Sequence, residues 1–157
     1  MIIISSCLAG IDCRYDGNSF PTSYMELLHD LITSELAISV CPEVEGGLPT
    51  PRPSAEIVEG RILIKNGEDL TKSFQQGCDS VLKRITSKKV APSLAILKSR
   101  SPSCGVSTIY DGTFSGRIIQ GSGLFMRRLR QAYPDLKIID ETELEEYATW
   151  LRSLLSE

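Results

Sequence analysis

The chain has 157 residues, 41% of them hydrophobic and 24% charged, with a formal net charge of −3. That length favours one domain over 1–157 with one core, and the apolar content sets disorder aside. The acidic balance removes the electrostatic case for a dedicated nucleic-acid binder, which needs a basic footprint to capture phosphates.

The opening "MIIISSC" is apolar for too few residues, and lacks the basic flank, to read as a signal peptide. No other segment reaches the apolar length of a membrane span. The expectation is a cytoplasmic protein with no membrane partner, whose five cysteines stay reduced and serve as ligands, nucleophiles or core filler.

"IIIS" at 2–5 is the first strand. "SYMELLHDLI" is a helix with Tyr24, Leu27, Leu28, Leu31 and Ile32 on one stripe and the only histidine, His29, off it. "LAISV" at 36–40 is the second strand, and "AEIVEGRILIKNG" reads as a hairpin turning on Glu59 and Gly60. "LTKSFQQGCDSVLKRI" follows as a helix with Leu70, Phe74, Cys78, Val81, Leu82 and Ile85 inward and Asp69 as cap. A third strand, "SLAILK" at 93–98, leads to "STIYDGTFSGRII", a second hairpin around Asp111 and Gly112. "SGLFMRRLRQAY" is a helix with Phe125, Leu129 and Ala132 inward and its arginines on a solvated face. "KIID" at 137–140 is a fourth strand. "TELEEYATWLRSLL" is a last helix, capped by Thr142 with Glu145 three residues on, and with Leu144, Tyr147, Ala148, Leu151 and Leu155 inward.

Short continuous apolar runs alternating with helices read as strands buried on both faces. The predicted fold is α/β, a small open and mostly parallel Rossmann-like sheet with flanking helices, plus one or two hairpin insertions as a lid or an edge extension.

Cys7 ends the first strand, Cys41 ends the second, and Cys104 lies in the loop after the third. Parallel strands end on one side of the sheet, and the crevice there is where such folds bind ligands. Three thiols are therefore expected to converge. Cys13 lies in the same opening loop and also reaches the crevice, whereas Cys78 belongs to the core stripe. Structural zinc sites close with four ligands, often as CxxC pairs, which this chain lacks. Three thiolates from distant loops suit a site with an open position, such as a 4Fe-4S cluster with one free iron. Incidental packing of the cysteines stays open on spacing alone.

Glu43, two residues after Cys41, is a carboxylate placed for general acid or base work, while Glu45 reads as a surface acid. Ser101 and Ser103 flank Cys104 with hydroxyl donors. "GSGLF" at 121–125 offers backbone N–H groups that could hold an anion at a helix start.

"CLAGIDCRYDG", "CPEVEGGLPTPRP", "LKSRSPSCG", "YDGTFSG" and "GSG" together resemble the DUF523 family, whose characterised members include a thiouracil desulfidase. The resemblance runs from about residue 3 to about residue 150. It implies an oxygen-sensitive 4Fe-4S cluster held by Cys7, Cys41 and Cys104, with the fourth iron free to take the sulfur of a thiolated base. Cys13 is then auxiliary, and Ala9 in "CLAG" departs from the more usual Leu beside a ligand. The implied reaction is hydrolytic, on a small thiolated nucleobase or nucleoside. Glu43 activates water, Ser101 or Ser103 donates a proton, and Asp16 and Arg52 contact the ring edge. The rivals are a sulfide- or metal-carrying protein without turnover, and a thiol enzyme using Cys104 as nucleophile with Lys98 or Arg100 beside it.

Overall fold

A computed structural model describes all residues, 1–157. Four strands form a parallel sheet: β1 (Ile2–Ser5), β2 (Ala37–Val40), β5 (Leu94–Leu97) and β8 (Lys137–Asp140), in the order β2-β1-β5-β8. In register, Ile3 lies between Ile38 on one side and Ala95 on the other. β1 and β5 are buried along their whole length, as their unbroken apolar sequences require of strands covered on both faces.

Alternation along β1 divides the core between two layers. Ile2 and Ile4 pack with Leu27, Leu28 and Leu31 of α1 (Met25–Thr33) and with Leu144 and Leu151 of α5 (Leu144–Leu154). Ile3 faces the other layer, where Cys78, Val81 and Ile85 of α3 (Thr71–Thr86) meet Phe125 and Leu129 of α4 (Leu124–Ala132). Cys78 is fully buried there and takes no part in the crevice.

The elements follow the periodicities, with differences at the caps. Leu70, not Asp69, is the N-cap of α3 and makes no side-chain cap; Asp69, one residue earlier, accepts from Thr71 N at 2.8 Å. The cap expected at Thr142 forms two residues earlier, on the 3-10 turn that leads into the last helix. Asp140, not Thr142, forms a capping box with Glu143 over a 3-10 turn that runs into α5. Leu155 and Ala132 lie in the terminal turns of their helices, beyond the packed stripe, and both are exposed.

Both hairpins form outside the parallel sheet. β3 (Ala55–Val58) and β4 (Arg61–Ile64) turn through Glu59 and Gly60, both with positive φ. β6 (Thr108–Tyr110) and β7 (Ile118–Gln120) are joined by a wider loop, closed by Asp111 N donating to Arg117 O, rather than by a tight turn at Asp111 and Gly112. Buried Glu56 ties the hairpins together by accepting from Gly112 N at 3.0 Å and Phe114 N at 3.2 Å.

Candidate active site

The chain leaves β1 toward β2 on one side and later adds β5 on the other, so the sheet order reverses at β1. Such a switch point opens a crevice at the carboxyl ends of the strands. Cys7 follows β1 in a 3-10 turn (Ser6–Ala9), Cys41 follows β2, and Cys104 lies in the loop after β5. All three, together with Cys13, line one cavity of about 480 Å³. Cys7, Cys13 and Cys104 are buried and Cys41 is half-buried.

Each cysteine is set by its own local structure. Cys41 precedes α2 (Pro42–Glu45), a single turn that begins with proline, the residue best suited to a first helical position. α2 is pressed against α3 at two glycines: a Cβ on Gly77 would stand 1.7 Å from Pro42 O, and one on Gly46 would stand 2.1 Å from Ser73 O. Glu45, read as a surface acid, pins the same contact by accepting from Arg84 Nε and Nη2, both at 2.8 Å. The Cys104 loop is held from inside by Ser101 Oγ, which accepts from Ser103 N at 3.1 Å and Cys104 N at 3.0 Å.

That loop is held from outside by the start of α4. Gly123 N donates to Gly105 O, Leu124 N to Pro102 O and Phe125 N to Ser103 O, at 2.8 to 2.9 Å. A Cβ on Gly123 would lie 2.3 Å from Ser103 O, so glycine permits the approach. The amides expected to bind an anion at "GSGLF" are therefore engaged in fixing the cysteine loop.

Glu43 projects from α2 into the cavity. Its Oε1 accepts from Arg52 Nε at 3.2 Å and its Oε2 from Ser103 Oγ at 2.9 Å, and Ser103 Oγ lies 2.8 Å from Ser101 Oγ. An unbroken chain thus runs from Arg52 through Glu43 and Ser103 to Ser101. Arg52 also donates to Pro49 O, Thr50 Oγ1 and Cys13 O, leaving one of its five N–H groups uncommitted. Asp16 is not brought to the cavity wall. It accepts from Asn18 N at 3.0 Å and from Arg14 Nη1 at 3.2 Å, and it is Arg14 that lines the cavity.

The thiols perturb one another. Cys41 is raised well above the ordinary thiol range, first by the hydrogen bond it gives to Cys13 and then by burial. For Cys13 the bond from Cys41 acts downward, but its own bond to Cys7, burial and repulsion from Cys7 outweigh it and push it up to about 12. Burial pushes Cys104 up to about 12 against the hydroxyls of Ser5 and Ser103. A buried thiol held in that range is a poor free nucleophile, and Lys98, its one buried cationic neighbour in sequence, is bonded elsewhere.

A soft cationic group would reverse these shifts, because thiolates are the ligand form and a cation stabilises them. No three His, Cys, Asp or Glu side chains close around a single ion. The thiols instead stand around a cavity with room for a group larger than one ion. All-sulfur donors on a multi-residue cavity fit an iron–sulfur cluster.

The sequence reasoning passed over a buried ion pair beside the thiols. Lys98 Nζ lies 3.2 Å from Glu141 Oε1, donates to Ser99 O at 2.9 Å, and stands 4.1 Å over the Phe20 ring. Burial lowers the Lys98 pKa, and Glu141 opposes that shift. The rule that found the cysteines would have found Glu141, since it directly follows β8. Glu56, Tyr110 and Phe114, which line the cavity from the hairpins, carry no such signal, because a hairpin's docking is not written in its own pattern.

The 2-thiouracil desulfurase family model matches residues 2–141. An uncharacterized protein of Bacillus subtilis (strain 168), YbbK, is 40% identical over 156 residues, covering 93% of this chain and 99% of its own. A solved structure, the [4Fe-4S]-dependent thiouracil desulfidase TudS (DUF523Vcz), superposes with a TM-score of 0.82 at 37% identity, covering 96% of this chain and 97% of that one.

Proposed function

This chain belongs to the 2-thiouracil desulfurase family, and from that premise we propose that it is a [4Fe-4S]-dependent desulfidase that exchanges the sulfur of a thiouracil-like base for oxygen. The observation that carries the reading is the convergence of Cys7, Cys41 and Cys104 on one cavity beside Glu43. The name of the TudS relative and the all-sulfur donor set support the same cofactor. Cys7, Cys41 and Cys104 are the proposed ligands, and Cys13 stands beside them, its backbone carbonyl accepting from the Cys41 thiol at 3.9 Å.

When bound, such a cluster supplies a Lewis-acidic iron with an open position for the thiocarbonyl sulfur. The chain's own residues supply the proton chemistry. Glu43 is the base that takes a proton from water, and the attacking oxygen adds to the thiocarbonyl carbon of the substrate. Arg52, fixed by its bonds to Pro49, Thr50 and Cys13, keeps the Glu43 carboxylate aimed into the cavity, with one N–H left uncommitted for a substrate ring. Ser103 and Ser101 return a proton as the carbon–sulfur bond breaks. Asp16 acts at one remove by orienting Arg14 on the wall. One water is consumed, one carbonyl forms and sulfide leaves, so no electron donor or acceptor is required.

The test is iron and acid-labile sulfide content of protein reconstituted without oxygen, followed by conversion of 2-thiouracil or 4-thiouracil to uracil. Equal amounts of iron and sulfide near about four per chain, with turnover that is lost in Cys104→Ser, is the expected result. A loaded protein without turnover on thiolated bases, nucleosides or nucleotides would indicate a sulfide carrier instead. An iron-free, colourless wild type would overturn the reading. No helix is long and apolar enough to cross a membrane.

A further inference from the structure

Lys98 and Glu141 form an ion pair buried from both sides, with side chains 9% and 7% exposed. A buried pair of this kind is weak support for a fold, since an apolar pair of similar volume often does as well. Its orientation is the informative feature. Lys98 lines the cysteine cavity, whereas Glu141 does not. The carboxylate is held behind the lysine by Ser99 N at 2.9 Å and by the Ser99 hydroxyl. The ammonium is held in front by Ser99 O and the Phe20 face, and Phe20 N in turn donates to Cys7 O at 3.0 Å. The backbone of Lys98 is itself bonded to Ser5 Oγ, whose hydroxyl also meets the Cys104 thiol.

The cavity collects negative charge once its thiols act as ligands: three thiolates and the Glu43 carboxylate face one low-dielectric space. Arg52 is already matched to Glu43. Lys98 is paired as well, but its partner Glu141 stands outside the cavity whereas Glu43 lines it. Lys98 therefore presents its charge on the cavity side, over the Phe20 ring whose backbone N is bonded to Cys7 O. We propose that Lys98 is the charge-compensating residue of the thiolate site, aimed by Glu141 and Ser99, and that it sets the retention and the midpoint potential of the group held there. Lys98 is thus a positioning and electrostatic residue, not one that touches substrate. This rests on the cluster reading above.

The test uses full-length protein reconstituted without oxygen as wild type, Lys98→Met, Lys98→Arg and Glu141→Gln. Iron and sulfide are measured first, then the midpoint potential by anaerobic titration, then the rate of iron loss to a chelator. Lys98→Met should shift the potential to more negative values and speed iron loss roughly tenfold or more, in line with outer-shell substitutions at metal sites. Lys98→Arg should stay near wild type. Glu141→Gln removes the opposing charge, so its potential should shift positive. That sign carries the test alone if Lys98→Met does not fold. Loaded variants with unchanged potentials, or shifts of one sign for Lys98→Met and Glu141→Gln, overturn the inference and leave the cluster reading intact. A wild type that takes up no iron overturns both, and the metal analysis reports it before any variant is compared.

Discussion

Gly77→Ala isolates the contact that places Glu43. In an unobstructed helix interior this change stabilises by about 0.8–1.0 kcal/mol, because alanine is the better helix former. Here the new Cβ would stand 1.7 Å from Pro42 O and 3.0 Å from Gly46 N, both backbone atoms that no rotamer change can move aside. Relief requires α2 to draw back from α3. Overpacking of a tight core costs about 1–3 kcal/mol, and a clash with rigid backbone belongs at the upper end, so the net loss is about 2 kcal/mol. For a chain of this length that lowers Tm by roughly 4–8 °C. Calorimetry of the iron-free variant beside wild type measures it. The retreat of α2 also lengthens the 2.9 Å bond between Ser103 and Glu43, so turnover of the reconstituted variant falls as well. A variant equal to or more stable than wild type would show that α2 does not rest on α3 as described.

Glu43→Gln keeps the site's shape and removes its base; turnover should fall about 10²–10⁴-fold with iron content unchanged, as read by steady-state assay and metal analysis. Cys7→Ser, Cys41→Ser and Cys104→Ser should each lose iron, while Cys78→Ala should keep it and lose stability from the core, which metal content and thermal melts separate. Ser101→Ala removes the acceptor of both Ser103 N and Cys104 N, so iron should be lost to a chelator faster than from wild type. The Asp69 carboxyl is held below its ordinary range, first by the Thr71 hydroxyl and then by its amide. Its contribution is therefore present above the unfolded pKa of about 3.9 and is lost as pH falls through the lower folded value. Asp69→Asn should flatten the acid limb of a Tm-against-pH curve.

The parallel strands were legible because each is a short apolar run, and a run buried on both faces needs no alternation to declare itself. β1 and β8 keep the bounds that their letters indicate. From strand ends alone follows the meeting of Cys7, Cys41 and Cys104, since topology makes neighbours of residues far apart in the chain. The cap of the last helix misled because Thr142 and Glu145 satisfy the pattern as well as Asp140 and Glu143 do, and only the end of β8 decides between them. Arg52 reads in sequence as a substrate contact and in space as a brace for Glu43, a distinction set by four acceptors scattered over residues 13 to 50. Asp16 was displaced from the cavity by its own neighbour, because a turn carboxylate satisfies local amides before it reaches a distant ligand.

The crossing of the sheet order at β1 has a consequence for when the protein can first become competent. Translation delivers β1 and β2 early, and with them two of the three thiols, but they lie on the same flank of an unfinished sheet. The wall that carries the Cys104 loop is missing until β5 has docked on the opposite side of β1. The loop carrying the third thiol is in turn clasped by the opening turn of α4, through amides that extend to Phe125 and Met126. A nascent chain that ends before that turn has its sulfurs without their arrangement. Four-fifths of the polypeptide must therefore leave the ribosome before the three thiols can stand around one cavity.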